Sequence, residues 1–158
     1  MKPKLTFLLA LTFLFLFSGS VYGDDFEEGW NAYKNNDYKK AYKFWLTLAE
    51  QGNVTAQYNL GYIYEKGKGV PQDYKEAVRL YRLSAEQGDV DAQLKLGVSY
   101  GMGRGVPKDY ALAHMWWNLS GSNGNKEAAE NRDIVETKMT PQQIEKAEEM
   151  ARNWTPKK

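Results

Sequence analysis

The chain repeats itself every 36 residues, and this period constrains its fold more than any other feature. The segment Gly67–Tyr74, which reads Gly-Lys-Gly-Val-Pro-Gln-Asp-Tyr, returns as Gly103–Tyr110, which reads Gly-Arg-Gly-Val-Pro-Lys-Asp-Tyr. Residues 53–88 and 89–124 are identical at 16 of their 36 positions. A repeat of roughly 20–50 residues indicates a unit that buries its apolar face only against a neighbouring copy. We therefore predict a solenoid.

Each unit has the pattern of two helices. Asn53 is placed to cap a first helix that runs to about Glu65, with small and apolar residues on one stripe. Two glycines and a proline then interrupt the pattern, and Asp73 is placed to cap a second helix that ends at Gly88. The same spacing predicts helices at about residues 90–100 and 110–120. The expected fold is therefore all-α, with paired antiparallel helices.

Two glycines interrupt predicted helices, where glycine costs about 1 kcal/mol relative to alanine. Gly61 and Gly97 occupy equivalent positions in the two units. We expect the paired helix to approach them closely through Ala77 or Ala113.

The ends of the array depart from the repeat. Residues 24–52 form a degenerate N-terminal repeat with a shorter turn, followed by the repeats 53–88 and 89–124. Residues 125–158 form a half-repeat and a capping helix. That last helix is predicted to begin after Thr140, whose side chain and that of Gln143 are spaced for a capping box, and to end near Asn153.

Residues 1–23 are typical of a signal peptide. Lys2 and Lys4 precede an apolar run, Leu5–Phe17, of 13 residues, whereas a bilayer span needs roughly 20. Cleavage is predicted after Gly23, which places the protein in the periplasm or outside the cell. The alternative is an uncleaved anchor, and only then would the protein associate with a membrane.

Composition excludes several classes of protein. Without Lys2 and Lys4 of the predicted signal peptide, the 21 basic residues fall to 19, against 20 acidic ones. We therefore expect no basic surface that would bind nucleic acid. The chain has no cysteine, which excludes disulfides, thiol nucleophiles and cysteine-ligated zinc.

No group of residues indicates catalysis. His114 is the only histidine and lies in a predicted helix beside aromatic residues, where packing is its expected role. The paired glycines at 67 and 69 follow no strand and precede no Lys-Ser or Lys-Thr pair, so turn formation explains them without a phosphate. We expect no enzymatic activity, no cofactor and no metal.

The repeat resembles the Sel1-like repeat family, a branch of the tetratricopeptide-like superfamily, and in particular its small exported bacterial members. The residues that carry the resemblance are Ala56–Tyr64, Gly67–Tyr74, Gly103–Tyr110, Ala77–Tyr81, Ala49–Gly52, Ala85–Gly88 and Ala113–Leu119. The resemblance implies a right-handed α-solenoid that scaffolds protein complexes at the bacterial cell envelope. A secreted branch of the family rich in disulfides has been connected with β-lactam binding, but this chain lacks the cysteines of that branch.

The expected function is a protein-binding adaptor or scaffold, with a protein or peptide as partner and a monomeric state. By analogy with tetratricopeptide units, the first helix of each pair lines the concave face. The candidate partner-binding residues on it are Phe26, Trp30, Tyr58, Tyr62, Leu94 and Val98. Tyr64 and Tyr100 are expected in the packed interior instead. The alternatives are an envelope hydrolase or β-lactam-binding enzyme, and a structural module that assembles with itself.

Overall fold

A computed structural model describes residues 18–157, and side chains from residue 23 onward. Most of the predicted signal peptide therefore lies outside the described residues. Within them the protein is entirely helical, with eight helices and no strand. The helices are α1 (Ser18–Lys34), α2 (Tyr38–Glu50), α3 (Val54–Lys66), α4 (Tyr74–Glu86), α5 (Val90–Met102), α6 (Tyr110–Ser122), α7 (Lys126–Glu136) and α8 (Pro141–Arg152).

From α1 to α7, each helix packs against the next one along the chain, which is the arrangement of an α-solenoid. In addition, α5 contacts α7 and α6 contacts α8. The paired helices are α1 with α2, α3 with α4, and α5 with α6. Helix α7 has the place of a first helix and belongs to the C-terminal half-repeat. The predicted all-α solenoid is confirmed.

Side-chain caps explain where the helices begin. From α2 to α8, the residue before each helix accepts a hydrogen bond from a backbone N–H of the first turn. Asn53 accepts from Ala56, and Asp73 accepts from Lys75 and Glu76. The predicted capping box of Thr140 and Gln143 is present in both directions. Because these caps are local, the sequence locates them well.

A buried aromatic residue recurs at the 36-residue spacing and faces a helix glycine in each unit. Trp45, Tyr81 and Trp117 come from the second helices α2, α4 and α6. They lie against Gly29, Gly61 and Gly97, in that order. The close approach expected at Gly61 and Gly97 is therefore present, but its source differs from the expectation. The ring of Trp117, rather than Ala113, meets Gly97, and at Gly61 the Tyr81 ring lies closer than the Ala77 carbonyl.

The second glycine of each Gly-x-Gly loop packs against the preceding unit. Gly69 lies against the first residue of α2, Tyr38, and Gly105 lies against the first residue of α4, Tyr74. A side chain at either glycine would meet the neighbouring backbone. These glycines therefore form part of the contact between repeats as well as a turn.

Buried polar side chains also join the helices at the 36-residue spacing. Gln57 donates to the carbonyl oxygen of Ala49 and Gln93 donates to that of Ala85, both at 3.2 Å. Two serines make a second repeated bond, Ser84 to the carbonyl oxygen of Val54 and Ser120 to that of Val90. Buried polar groups need such partners, so these bonds help to fix how far one helix is shifted along the next.

The C-terminal segment returns along the array. Ala147 of α8 is fully buried, and Trp154 meets Trp116 edge to face, with ring centroids 6.3 Å apart. Beyond them, Lys157 donates from its backbone and its ammonium to Glu86 at the end of α4.

None of the described helices combines the length and the apolar character that crossing a membrane requires.

Candidate functional site

Three of the six predicted binding residues come together around one cavity. Trp30 from α1 and Tyr58 and Tyr62 from α3 line a cavity of about 220 Å³, together with Tyr33, Trp45 and Asn59. We call these six residues the aromatic pocket. Whether they bind a partner stays a prediction.

The aromatic pocket is built from rings that contact one another. Trp30 stacks on Tyr33, with centroids 5.8 Å apart and an interplanar angle of 7°. Trp45 forms the floor, since it is only 1% exposed and lies 6.4 Å from Trp30 and 5.6 Å from Tyr33. Tyr62 completes the ring of contacts edge-on, 6.5 Å from Tyr33. Packed aromatic pairs hold each other in place, so the pocket is largely formed before anything binds.

Helix geometry explains how the sequence places these rings. Trp30 and Tyr33 are three residues apart on α1, and Tyr58 and Tyr62 are four apart on α3, so each pair lies on one face of its helix. Trp45 reaches the pocket from α2. Gly29 of α1 leaves room for its indole. The short turns of the degenerate repeat bring all three helices together.

Lysines surround one edge of the aromatic pocket. The ammonium nitrogens of Lys66, Lys68 and Lys95 lie 5.5, 5.7 and 5.6 Å from the centre of the Tyr62 ring. Lys68 also lies 4.7 Å from the Tyr33 ring centre and donates a hydrogen bond to the Tyr33 hydroxyl at 2.7 Å. Ammonium groups within about 6 Å of an aromatic face are attracted to it.

Two of these lysines share one carboxylate. Glu65 lies 2.8 Å from Lys66 and 3.4 Å from Lys95, and it accepts a hydrogen bond from the Tyr81 hydroxyl at 2.7 Å. Burial raises the pKa of Glu65, but the bonds from Lys66 and Tyr81 and the charge of Lys95 outweigh it, so the pKa is lowered overall. Glu65 is therefore ionised and fixed, and it resembles a structural group more than a general base.

Two aspartates of the following repeat act on Tyr58. Burial, followed by the charges of Asp91 and Asp89, raises the pKa of Tyr58 to about 12. Both carboxylates are already engaged, because Asp89 caps α5 and Asp91 accepts from Asn125 at 3.3 Å. Lysines therefore lie beside Tyr62, and two aspartate charges act on Tyr58, one turn earlier on α3.

The other three predicted binding residues lie elsewhere. Phe26 packs near Trp45, with ring centroids 6.5 Å apart, and does not line the aromatic pocket. Leu94 is only 8% exposed and belongs to the buried core, so it offers little surface to a partner. Val98 lines a different, small cavity next to Lys95 and Arg104. Of the six predicted binding residues, Trp30, Tyr58 and Tyr62 therefore line one cavity together, and the other three do not line it.

Sequence reasoning missed four residues of this region. Tyr33 and Asn59 are helix neighbours of predicted residues, and a search of adjacent positions would have found them. A tryptophan within a predicted helix is usually a packing residue, and Trp45 packs in the core while also forming the floor of the pocket. Lys68 lies in the Gly-x-Gly loop, and no spacing in the sequence indicates that its side chain reaches Tyr33, 35 residues earlier.

The single histidine has a structural setting. His114 is fully buried, and its Nε2 lies 2.8 Å from Oε1 of Glu136. Among the described residues, no three histidine or carboxylate side chains gather as a metal site.

Comparisons with known proteins agree with this architecture. The family model for the Sel1 repeat matches residues 26–53, 54–89 and 90–125. A protective antigen present in uropathogenic Escherichia coli strains, which displays an SLR (Sel1-like repeat) fold, is 34% identical with a TM-score of 0.80, over 84% of this chain and 29% of that one. A Sel1 repeat protein from Oxalobacter formigenes is 29% identical with a TM-score of 0.66, over 77% of this chain and 53% of that one. The chain thus spans about half or less of either structure's length, and no curated protein sequence matches it.

Proposed function

Because the chain belongs to the Sel1 repeat family, we propose that it is a non-catalytic scaffold that holds a polypeptide partner in the aromatic pocket. Repeats of this family generally serve protein interaction, and they present extended surfaces to their partners. By analogy with tetratricopeptide units, the pocket would lie on the concave face of the solenoid.

The observation that carries the proposal is the exposure of Trp30 in a preformed ring of aromatic side chains. Trp30 remains 42% exposed although it contacts Trp45 and Tyr33. Exposure of a large apolar side chain to water is unfavourable and often marks an interaction site. Tryptophan and tyrosine also dominate the binding energy of many protein interfaces. A rigid aromatic concavity with one amide, from Asn59, suits an apolar side chain next to a peptide bond.

Affinity capture tests the proposal with matched variants. Wild-type protein, the double variant Trp30→Ala and Tyr62→Ala, and the control Leu83→Ala are each used to capture proteins from cell-envelope extract. Leu83 is also exposed, but it lies on the second helix α4, away from the pocket. We expect the double variant to lose its partner at least tenfold, since anchors of this kind are worth about 2 kcal/mol or more.

The result is then repeated with the purified partner, so that affinity is measured directly. Circular dichroism must show that the double variant is folded. Equal affinity of the folded double variant and wild type would contradict the proposal, and binding would then have to be sought on another face.

The proposed location is the periplasm or the exterior, after cleavage near Gly23. Gly23 lies within α1, so cleavage there leaves a helix that begins with Asp24 and Asp25. Acidic residues stabilise the first turn of a helix, so the remaining helix keeps a suitable start. Intact-mass analysis of the exported protein measures the cleavage position, and a mature species that retains residues 1–17 would contradict it.

Two further measurements separate the scaffold from the alternatives raised by the sequence. Turnover of a chromogenic β-lactam by the purified protein would indicate an enzyme. A sedimentation coefficient that rises with protein concentration would indicate a module that assembles with itself. We expect neither result.

A further inference from the structure

We infer that the partner of the aromatic pocket carries an acidic side chain next to the apolar or aromatic side chain that enters the pocket, and that Lys68 receives the acid. This inference rests on the proposed function and adds the chemistry of the partner to it. It depends on where Lys68 lies and on which charges around it are already paired.

Lys68 is held at the edge of the pocket. Its ammonium nitrogen lies 4.7 Å from the centre of the Tyr33 ring and 4.8 Å from that of the Tyr38 ring. It donates one hydrogen bond, to the Tyr33 hydroxyl at 2.7 Å. A lysine ammonium has three donors, and the aromatic faces engage its charge without accepting a conventional hydrogen bond. The side chain is therefore positioned and still able to donate to an acid.

Of the three lysines beside Tyr62, Lys68 is the one that pairs with no carboxylate among the described residues. Lys66 and Lys95 both pair with Glu65, which is the acid of this cluster. Among the described residues, no carboxylate comes within 4.0 Å of the Lys68 ammonium. Three lysines against one glutamate give this end of the pocket a net positive charge.

The rest of the pocket supports one orientation of the partner. At the Tyr58 end, burial raises the pKa of that tyrosine, and the negative charges of Asp91 and then Asp89 raise it further. An acidic group next to the bound side chain is therefore attracted to the Lys68 end and repelled from the Tyr58 end. A basic group at this position would be repelled by the lysines and attracted to the aspartates. A neutral group would gain from neither interaction.

A purely structural role for Lys68 makes a different prediction. Its bond to Tyr33 joins the loop after α3 to α1, and loss of that bond would disturb the pocket for every ligand. Recognition of an acid instead requires that only acidic ligands lose affinity. The conservative change Lys68→Arg keeps the positive charge and should keep the preference for acid.

The experiment uses three blocked peptides of the form Gly-X-Trp-X-Gly, in which X is Glu, Gln or Lys. Each is titrated into the ¹⁵N-labelled protein at low salt, and the indole N–H signals of Trp30 and Trp45 report occupancy of the pocket. We expect the Glu peptide to bind about fivefold more tightly than the Gln peptide, which is the upper range for an accessible ion pair. The Lys peptide should bind most weakly, and added salt should reduce these differences.

The variants decide what Lys68 does. Lys68→Gln should remove the preference for Glu over Gln, so that both peptides bind this variant with equal affinity, and Lys68→Arg should retain the preference. Lys146→Gln is the matched control, because Lys146 is exposed on α8, which packs against α6. It should behave as wild type.

Each other result overturns the inference in a distinguishable way. Equal affinity for the Glu and Gln peptides overturns the acidic preference and leaves the aromatic pocket as a binding site. Equal weakening of all three peptides by Lys68→Gln shows a structural role. Indole signals that none of the peptides shifts would overturn both the inference and the proposed function.

Discussion

Trp117 lies so close to Gly97 that the helix has no room for a β-carbon at that position. A β-carbon built on Gly97 would lie 2.5 Å from both Cδ1 and Nε1 of the indole. Gly29 has the same relationship to Trp45, with a closest approach of 2.6 Å. The pair of a helix glycine and an aromatic ring therefore sets the spacing between the first and second helices of a unit.

This relationship gives a prediction for Gly97→Ala. In an exposed helix the change would stabilise the protein by about 1 kcal/mol. Here the methyl group must displace the Trp117 ring in a packed core, so we expect a net loss of roughly 1–3 kcal/mol in the free energy of unfolding. Urea unfolding followed by circular dichroism measures it.

The control removes the ring. In a Trp117→Leu background the methyl group at position 97 gains space, so Gly97→Ala should become neutral or stabilising. The two single variants and the double variant form a double-mutant cycle. An equal cost of Gly97→Ala in both backgrounds would show that Trp117 is not the cause.

The Gly-x-Gly loop gives a second prediction, from two glycines with almost the same φ angle. Gly103 has φ of +69° and Gly105 has φ of +73°, so alanine costs about 1–2 kcal/mol at either position from backbone strain. A β-carbon at Gly103 meets Lys108 of the same loop, at 3.3 Å from Cβ and 3.5 Å from the backbone nitrogen, whereas one at Gly105 meets the Tyr74 backbone of the preceding unit much more closely. Gly105→Ala should therefore destabilise the protein by roughly 1–3 kcal/mol more than Gly103→Ala. Similar melting temperatures for the two variants would contradict a role of Gly105 between repeats.

The sequence predicted most of the fold because the signals that define it are local. The caps at Asn53, Asp73 and Thr140 and the glycines that follow helices α2 to α6 act within one turn, so their spacing alone locates these helices. The 36-residue period then predicts the packing of one unit on the next. Helix ends were less certain, and α5 continues two residues past the expected Tyr100.

The candidate site was only partly predictable, because it depends on which neighbours cover each residue. Leu94 and Tyr58 occupy equivalent positions, yet Leu94 belongs to a buried core that also includes Ala128 of α7. Tyr58 only packs against the edge of that core, and its ring still lines the aromatic pocket. The loop lysine at 68 reaches a helix 35 residues earlier, and no periodic pattern specifies such a contact.

Tyr64 and Tyr100 occupy equivalent positions and give a third prediction, because the structure buries them to different extents. Both Tyr64 and Tyr100 were expected in the packed interior. Tyr100 is 7% exposed and accepts a hydrogen bond from Arg82 at 2.6 Å, whereas Tyr64 is only partly buried, with its hydroxyl 3.1 Å from that of Tyr42. Tyr100→Ala should cost about 3 kcal/mol or more and Tyr64→Ala about 1–2 kcal/mol. Thermal unfolding of both variants tests this order, and a larger loss for Tyr64→Ala would reverse our assignment of the interior.

The buried glutamines reveal a bond that one unit makes and the next unit lacks. In the first, the side-chain oxygen of Gln57 accepts from Nε2 of Gln87 at 2.9 Å. In the second, Gln93 is fully buried, and its side-chain oxygen has no hydrogen-bond partner among the described residues. The position equivalent to Gln87 holds Asn123, which is one methylene shorter and donates to the carbonyl oxygen of Leu119 instead.

The last prediction is that Asn123→Gln stabilises the protein. Asn123 and Gln87 both follow their helix with similar backbone angles, φ of −97° and −88°, so glutamine fits at position 123 without strain. Its longer side chain would reach the unpaired oxygen of Gln93, and a buried hydrogen bond is worth about 0.5–1.5 kcal/mol. The reciprocal change Gln87→Asn should leave the Gln57 oxygen unpaired and destabilise by a similar or larger amount. Urea unfolding of both variants measures the pair of effects. Destabilisation by Asn123→Gln would show that the bond of Asn123 to Leu119 outweighs satisfaction of Gln93.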